Sequence, residues 1–439
     1  MSHALRNGSA DRVGTFASFT FYNYKLYFGG STIANVGTWM ARVSQDWLVL
    51  TQLTNHSSAA LGIITGLQFA PVALLAPSAG AIADRFPKRR ILIGTQAGLA
   101  ITSIVLWLLV VTGSVQLWHV YILAVIQGII TALDNPTRQA FASEMVPTRY
   151  LTNAVGLNSA SFNGARLLGP GIGGLLIAAF GVAPSLLING LSFAGPILAL
   201  HVMRPEELTP APLRKGRGAI KEGLVYVRHR PDIMLVMFIV FMLGTFGMNF
   251  QITNALMATT VYHKGAGEYG LLGSIMAIGT LAAALIAARR ARPRLRIMLG
   301  ALGGFTVFTA LLAAAPSYLT YSILLVLVGL FALTVLTTAN SSVQLACEPE
   351  MRGRVMALYM AIFMGGTPLG APIIGWVGQV WGARWTLAAG AIATGIAFVV
   401  ATWFIVTHDQ LRLRLRFGWP PRVQVLRPSP RRPDAELVA

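Results

Sequence analysis

Long apolar runs separated by short polar segments recur along the whole chain. A helix that crosses a bilayer needs about 20 mainly apolar residues. Twelve runs meet that length, and each predicts one spanning helix: 25–50, 59–83, 91–112, 118–140, 154–180, 184–203, 233–260, 268–289, 297–315, 318–343, 355–380 and 385–407. The longest polar segment between them leaves six runs on each side. This pattern predicts an all-α membrane protein with twelve transmembrane helices in two six-helix bundles.

The two sets of six runs resemble each other in sequence. Segment 162–174 (FNGARLLGPGIGG) aligns with 363–375 (FMGGTPLGAPIIG) at a constant offset of 201 residues. An even number of spans gives both halves the same orientation in the membrane. In transporters, parallel six-helix repeats hold the substrate between them near the middle of the bilayer. We therefore expect two pseudo-symmetric bundles, with chance similarity of two glycine-rich helices as the alternative.

Composition agrees with a membrane location. Hydrophobic residues make up 55% of the chain and charged residues 11%, against about 25% charged in soluble proteins. The net charge of +19 would suggest nucleic-acid binding in a soluble protein. The single cysteine excludes an intrachain disulfide, and the seven histidines show no metal-ligand spacing. We expect no metal site and no cofactor.

The basic residues lie mainly on one side of the predicted spans. Of the 34 Lys and Arg residues, 30 fall in the N-terminal segment, the even-numbered connections and the C-terminal tail. Basic loops stay in the cytoplasm, so both termini are predicted there, and these charges face anionic lipids rather than nucleic acid. The chain then divides into an N-terminal bundle at 1–203, a cytoplasmic linker with an amphipathic helix at 204–232, a C-terminal bundle at 233–407 and a disordered cytoplasmic tail at 408–439.

Three motifs resemble those of a known family. The loop GAIADRFPKRR at 80–90 resembles the signature loop of the major facilitator superfamily. GPGIGG at 169–174 resembles the antiporter signature of that superfamily's drug:proton exporters, and the stretches 37–47 and 134–140 resemble its branch of enterobactin-type siderophore and macrolide exporters. The resemblance reaches residue 407 and implies the major facilitator fold. It also implies proton-coupled export of a small amphiphilic molecule across a bacterial cytoplasmic membrane.

The signature loop suggests a gate. Charge pairs that break and reform bias a protein between two states. We expect the loop and the inner end of the fourth span to close the cytoplasmic side in one state. The residues of this gate motif are Gly80, Asp84, Arg85, Lys88, Arg89 and Asp134. A basic loop that only fixes topology is the alternative.

The fifth span carries the antiporter-type motif. Pro170 lacks an N–H and crowds the preceding turn, so the helix is expected to kink there. Gly169, Gly173 and Gly174 would let neighbouring helices approach closely. Packing without any role in gating is the alternative for this motif.

Charged residues inside a membrane are costly and point to function. Arg42 and Asp46 in the first span are four residues apart and share one helix face. If spans 1 and 5 are neighbours, as the resemblance implies, Arg166 reaches toward the level of Asp46. These three residues are the proton-coupling candidates, and a static ion pair that stiffens span 1 is the alternative.

Other polar and aromatic residues in the spans are candidates for lining a substrate cavity: Asn35, Trp39, Gln68, Asn163 and Asn249. Taken together, the sequence predicts a monomeric secondary transporter whose partners are a small molecule, a drug or siderophore, and protons. Uptake or proton symport of a small metabolite is the alternative within transport. A membrane enzyme or a sensor is disfavoured, because no catalytic motif and no long cytoplasmic segment is present.

Overall fold

The computed structural model describes residues 14–209, 219–289, 294–408, 412–416 and 422–426. The N-terminal half begins with a 3-10 turn at Ala17–Thr20, and α1 runs on into a π-helical turn at Val49–Leu53. Its helices are α1 Tyr22–Leu48, α2 Ser58–Arg85, α3 Lys88–Val111, α4 Leu117–Met145, α5 Thr148–Phe180, α6 Ala183–Ser192 and α7 Ala194–Val202. A short 3-10 turn at Pro205–Glu207 and helix α8, Ala219–Arg228, follow in the linker.

The C-terminal half repeats this arrangement. Its first span is divided by two π-helical turns, Leu243–Gly247 and Met257–Val261. Its helices are α9 Pro231–Met242, α10 Phe250–Leu256, α11 Ala266–Ala288, α12 Leu295–Ala314, α13 Tyr318–Ala346, α14 Pro349–Trp381 and α15 Ala383–His408. Every predicted span thus corresponds to a helix or to a consecutive pair of helices, and the predicted all-α membrane fold is confirmed.

Ten helical segments of the described chain are long and apolar enough to cross a membrane. Helices α1 and α5 have 27 and 33 residues but are not among the ten, because polar and charged residues interrupt their apolar sequence. These two helices pack against each other. The most polar spans are therefore neighbours, which is expected of helices that face protein or water rather than lipid.

The contact between the bundles is reciprocal. Helix α2, the second span of the first half, packs against α14, the fifth span of the second half. Helix α5, the fifth span of the first half, packs against α11, the second span of the second half. Each half therefore offers its second and fifth helices to the other, as the repeat in the sequence predicts for two like-facing bundles.

The bundles are joined at the end that lies away from the chain termini, which we call the short-loop end. There the Ser58 hydroxyl of α2 donates to the carbonyl of Gly375 in α14 at 2.8 Å. On the other side of the interface, the N–H of Gly171 donates to the hydroxyl of Ser274 in α11 at 3.1 Å. In the described chain, all side-chain hydrogen bonds between the bundles lie from mid-helix to this end, so the structure is closed there.

The linker helix α8 belongs with the second bundle. Glu222 forms a 2.5 Å ion pair with Arg354 near the start of α14, and Gly223 lies against the backbone of the same arginine. Leu224 and Val225 are exposed. The helix occupies 219–228 within the predicted linker at 204–232, and residues 210–218 lie outside the described part of the chain.

The C-terminal tail differs in part from the prediction of disorder. Two strands, β1 Arg412–Arg416 and β2 Arg422–Leu426, pair in antiparallel register, with Arg412 opposite Leu426. The physical reason is the alternation of basic or polar with apolar residues along 412–416 and 422–425, which is the period of a strand. The remainder of the predicted tail beyond residue 408 lies outside the described residues.

Candidate transport pathway between the two bundles

Asp46 lies on the face of α1 that meets the second bundle. It is 6% exposed, and its Oδ2 accepts hydrogen bonds from the Nε2 of Gln251 at 3.1 Å and from the hydroxyl of Tyr269 at 2.9 Å. Both donors belong to the C-terminal half, to α10 and α11. The carboxylate therefore joins the bundles at the short-loop end, and it does so through neutral donors.

Arg42 does not form a close ion pair with Asp46. Its guanidinium lies 5.0 Å from the ring centroid of Trp39 and 5.9 Å from that of Phe69. In the described structure no carboxylate lies within 4 Å of this guanidinium. The alternative drawn from the sequence, a static ion pair between Arg42 and Asp46, is therefore not formed in this conformation. Arg42 is instead a partly exposed cation stacked on aromatic rings.

Arg166 lies below the level at which the sequence placed it. Its Nη2 donates to the Thr280 hydroxyl of α11 at 2.6 Å. Thr280 follows Tyr269 by eleven positions in α11, a distance of about 16 Å at 1.5 Å per residue. The expected reach of Arg166 toward Asp46 is wrong for this conformation, because α5 holds the guanidinium nearer the middle of the interface.

The bases of the signature loop are held inside the first bundle. Lys88 forms a 2.7 Å ion pair with Glu144 at the end of α4, and both side chains are less than a tenth exposed. Arg89 donates to the backbone carbonyls of Leu200 and His201 at the end of α7. Basic groups at a helix C-terminus satisfy its free carbonyls.

Asp134 likewise bonds within its own bundle. Its Oδ1 accepts from the Thr95 hydroxyl and from Gln96, each at 2.7 Å. Its Oδ2 accepts from Arg138 one turn later, at 2.7 Å. The expected pairing of Asp134 with the loop bases does not occur here, because nearer donors on α3 and α4 occupy both oxygens.

The remaining members of the gate motif make few contacts that could close the cytoplasmic side in this conformation. The Arg85 guanidinium lies 6.0 Å from the ring of its neighbour Phe86. A β-carbon added at Gly80 would meet no described atom within 4 Å. Asp84 lies in α2, and its side chain is outside the described part of the structure.

The antiporter-type motif packs closely against two neighbours. A β-carbon at Gly169 would lie 2.6 Å from the β-carbon of Trp39, and one at Gly173 would lie 2.8 Å from the carbonyl of Met40, both in α1. Pro170, which lies inside α5, contacts Gly273 of α11. The motif therefore forms the junction of α1, α5 and α11.

Gly174 lies at a close approach between α5 and α11. A β-carbon there would lie 2.5 Å from the carbonyl of Ala266 and 2.9 Å from the α-carbon of Gly270. Only a residue without a side chain lets the two backbones come this near. The motif glycines thus close the short-loop end, while a kink at the proline stays a prediction.

The cavity candidates divide into two groups. Asn35 and Trp39 share the inward face of α1 with Arg42, and Trp39 meets Phe162 of α5 edge to face at 5.8 Å. The other three have partners inside their own bundle or helix. Gln68 donates to Gln127 at 3.2 Å, Asn163 to the carbonyl of Ser159 and Asn249 to the carbonyl of Thr245.

Four partners of charged residues were not identified from the sequence: Tyr269, Gln251, Thr280 and Glu144. Asp46 and its two donors are 205 and 223 positions apart, and no local pattern relates them. Glu144 carried a signal, since it is an acid at the inner end of a span that also bears Asp134. No cluster of His, Cys, Asp and Glu that could hold a metal occurs among the described residues.

Comparisons with known proteins agree with this architecture. A family model described as transmembrane secretion effector matches residues 13–424. The staphyloferrin A transporter of Staphylococcus aureus is 25% identical over 89% of this chain and 98% of its own length. An enterobactin exporter of Citrobacter koseri is 24% identical over 85% of this chain and 89% of its own length. The multidrug efflux pump Tap of Mycolicibacterium fortuitum is 26% identical over 84% of this chain and 92% of its own length.

A solved structure has the same fold. The bacterial homologue of the human lysosomal transporter Spinster, inward-facing and unoccupied, superposes with a TM-score of 0.71 at 15% identity, over 91% of this chain and 98% of that one. These relatives are transporters and not enzymes. Since the family model matches nearly the whole chain, the protein is a multi-pass membrane transporter that belongs to the transmembrane secretion effector family of the major facilitator superfamily.

Proposed function

We propose that this transporter exports small amphiphilic molecules, of siderophore or drug type, across a bacterial cytoplasmic membrane in exchange for protons. The names of two relatives, an enterobactin exporter and a multidrug efflux pump, support this substrate class and direction. Each chain carries both halves of the interface, so a monomer is the working unit.

The observation that carries the proposal is the position of Asp46 between the bundles. Its two hydrogen bonds cross from one bundle to the other, so they exist only while the short-loop end is closed. When that end opens, water replaces Gln251 and Tyr269. A group whose surroundings differ between two states binds its proton with different affinity in each, and protonation then shifts the balance between them.

Orientation follows from charge. The 30 basic residues on the side of the chain termini put both termini in the cytoplasm, next to anionic lipid headgroups. The closed short-loop end then faces outward, and the substrate enters from the cytoplasm in the conformation described here.

The signature loop has a second role in this proposal. Because Lys88, Arg89 and Asp134 are bonded within the first bundle, they stiffen its cytoplasmic end as one body. Arg85 is the exposed base of the motif that remains for pairing with the second bundle when the cytoplasmic side closes.

Uptake into everted membrane vesicles tests the function, because such vesicles accumulate what the cell exports. We expect dyes, antibiotics or siderophores of a panel to accumulate when respiration energises the vesicles, and to leak out when a protonophore is added. For an uncharged substrate exchanged one for one, 100 mV and a tenfold proton gradient supply about 3.7 kcal/mol, or roughly 500-fold accumulation. Accumulation that survives the protonophore contradicts proton coupling, and movement out of energised everted vesicles contradicts export.

A further inference from the structure

Two arginines and an aromatic pair lie on the inward faces of α1 and α5. We propose that Arg42 and Arg166, together with Trp39 and Phe162, bind an organic anion: an apolar or aromatic body that carries a carboxylate or another acidic oxygen group. This inference names the substrate class and rests on the proposed transport function.

Arg42 has its donors free. A guanidinium has five N–H groups and no acceptor, and the side chains that Arg42 lies over, Trp39 and Phe69, offer aromatic rings rather than oxygen acceptors. The structure shows no hydrogen bond from Arg42 to a described residue. A ligand that supplies two oxygens in the plane of the guanidinium is therefore the complement to this side chain.

Arg166 also has N–H donors that bond to no described residue. One of its nitrogens donates to Thr280, and no described carboxylate lies within ion-pair distance of it. Among the described side chains that bond across the interface, the one acid is Asp46, whose hydrogen bonds come from Gln251 and Tyr269. Among the described residues that line the interface between the bundles, two cations, Arg42 and Arg166, therefore accompany one carboxylate, Asp46. This excess of positive charge favours an anion over a cation as the ligand.

The four side chains lie on the faces of α1 and α5 that meet the second bundle. Trp39, Arg42 and Asp46 are three and four residues apart in α1, so they share a face, and that face meets the second bundle at Asp46. Phe162 and Arg166 are four residues apart in α5 and share its face in the same way. Trp39 and Phe162 touch at 5.8 Å, and Phe162 is 47% exposed, so the aromatic surface is available to an apolar body.

Binding measurements on the full chain test this site without any ion gradient. The protein is placed in phosphatidylcholine nanodiscs, and affinities are compared for two matched pairs of fluorescent probes. The first pair is 2-naphthoate and its uncharged amide, 2-naphthamide. The second is 8-anilinonaphthalene-1-sulfonate and uncharged N-phenyl-1-naphthylamine. We expect the anion of at least one pair to bind tenfold or more tightly than its neutral partner.

The variants assign that preference to the arginines. Arg42→Gln should abolish most of it, Arg42→Lys should keep part of it, and Arg166→Gln should weaken it, while binding of the neutral probes is unchanged. Arg149→Gln is the matched control, since Arg149 also lies over an aromatic ring, 4.5 Å from Tyr150, but at the start of α5. An unchanged melting temperature shows that each variant is folded, because the neutral probes also partition into the lipid of the nanodiscs.

Three outcomes decide the proposal. No preference for the anion in either pair, or a preference that survives the double substitution of Arg42 and Arg166 by Gln, overturns it. If phosphatidylglycerol in the nanodiscs competes with 2-naphthoate at Arg42, the site stands and its anion is a lipid headgroup; if it does not, the anion is a soluble molecule. Failure of proton-driven efflux together with an intact anion preference contradicts the transport proposal but not this site.

Discussion

The carboxylate of Asp46 in α1 accepts a 2.9 Å hydrogen bond from the hydroxyl of Tyr269 in α11, 223 positions later and in the other bundle. The same oxygen accepts from Gln251 of α10. The acidic group of the first span is thus held by neutral donors from the second half of the protein. Asp46 is therefore shielded from water while the short-loop end is closed and becomes solvated when that end opens.

Replacing Asp46 by Asn should uncouple transport from protons. Asparagine has nearly the same size and still accepts a hydrogen bond at its carbonyl oxygen, but it cannot bind and release a proton. Proton-driven accumulation in everted vesicles should fall to background, while gradient-independent exchange of labelled for unlabelled substrate continues. Asp232→Asn is the control, because Asp232 is an exposed acid paired with Arg230 at the start of α9. Normal proton-driven accumulation by the Asp46 variant would refute its assignment.

Replacing Tyr269 by Phe should loosen the closed short-loop end. It removes one hydrogen bond to a charged group, worth about 1.5–3 kcal/mol, without changing the size of the ring. Labelling by an impermeant maleimide at a cysteine in place of buried Ala266, in a chain lacking Cys347, should speed up about tenfold or more. Tyr318→Phe removes a hydroxyl that bonds within the second bundle and should leave the rate unchanged. Equal labelling in both variants would mean that the Asp46 contact does not hold this end closed.

Two glycines of α5 should respond differently to the same substitution. A β-carbon at Gly174 would meet the carbonyl of Ala266 at 2.5 Å, whereas one at Gly164 would meet no described atom within 4 Å. Gly174→Ala should therefore force α5 and α11 apart and lower transport severalfold, and Gly164→Ala should leave it near normal. Transport rates at matched expression check this, and equal activity of the two variants would show that the close approach is not needed.

Breaking the Lys88–Glu144 pair should destabilise the first bundle. Both side chains are less than a tenth exposed, and removing one partner of a buried pair costs about 3–5 kcal/mol because the other charge is left uncompensated. Glu144→Gln should lower the melting temperature of the purified protein clearly. Replacing both residues, Lys88→Met with Glu144→Leu, should recover part of the loss. A melting temperature that does not change in Glu144→Gln would argue that the pair is open to water in the folded protein.

Asp46 and the proposed anion site should be linked electrostatically. Asp46 lies one turn from Arg42 on the same face of α1, so its negative charge opposes the binding of an anion there. Asp46→Asn should raise the affinity for 2-naphthoate and leave that for 2-naphthamide unchanged. The affinity of the wild type for 2-naphthoate should likewise rise when acidic pH protonates Asp46. Because protonated Asp46 favours the anion, the proposed exchange requires that the proton leaves to the cytoplasm before the anion binds from that side. Unchanged or weaker binding of 2-naphthoate in the Asp46 variant would separate the two sites.

The charged residues of the candidate site could be identified from the sequence, but the residues that they contact could not. Arg42, Asp46 and Arg166 stand out in the sequence because charges are rare in apolar spans, and the spacing of Arg42 and Asp46 predicts that they share one helix face. The sequence did not show that Arg42 stacks on Trp39 and Phe69 or that Arg166 bonds to Thr280. A helical repeat fixes the direction of a side chain on its own helix, but not the residue that it meets on another.

The sequence by itself determined the number of spans, their order, the six-and-six division and the family, since each depends on local features: the length of apolar runs, the position of basic loops and short motifs. Only the tertiary structure decided that, in this conformation, Lys88 and Arg89 bond within the first bundle and Asp46 is held by the second. The physical reason is that a buried charge takes the best donor or counter-ion that packing brings within about 3 Å. In this fold those partners come from helices that are tens to hundreds of residues away along the chain.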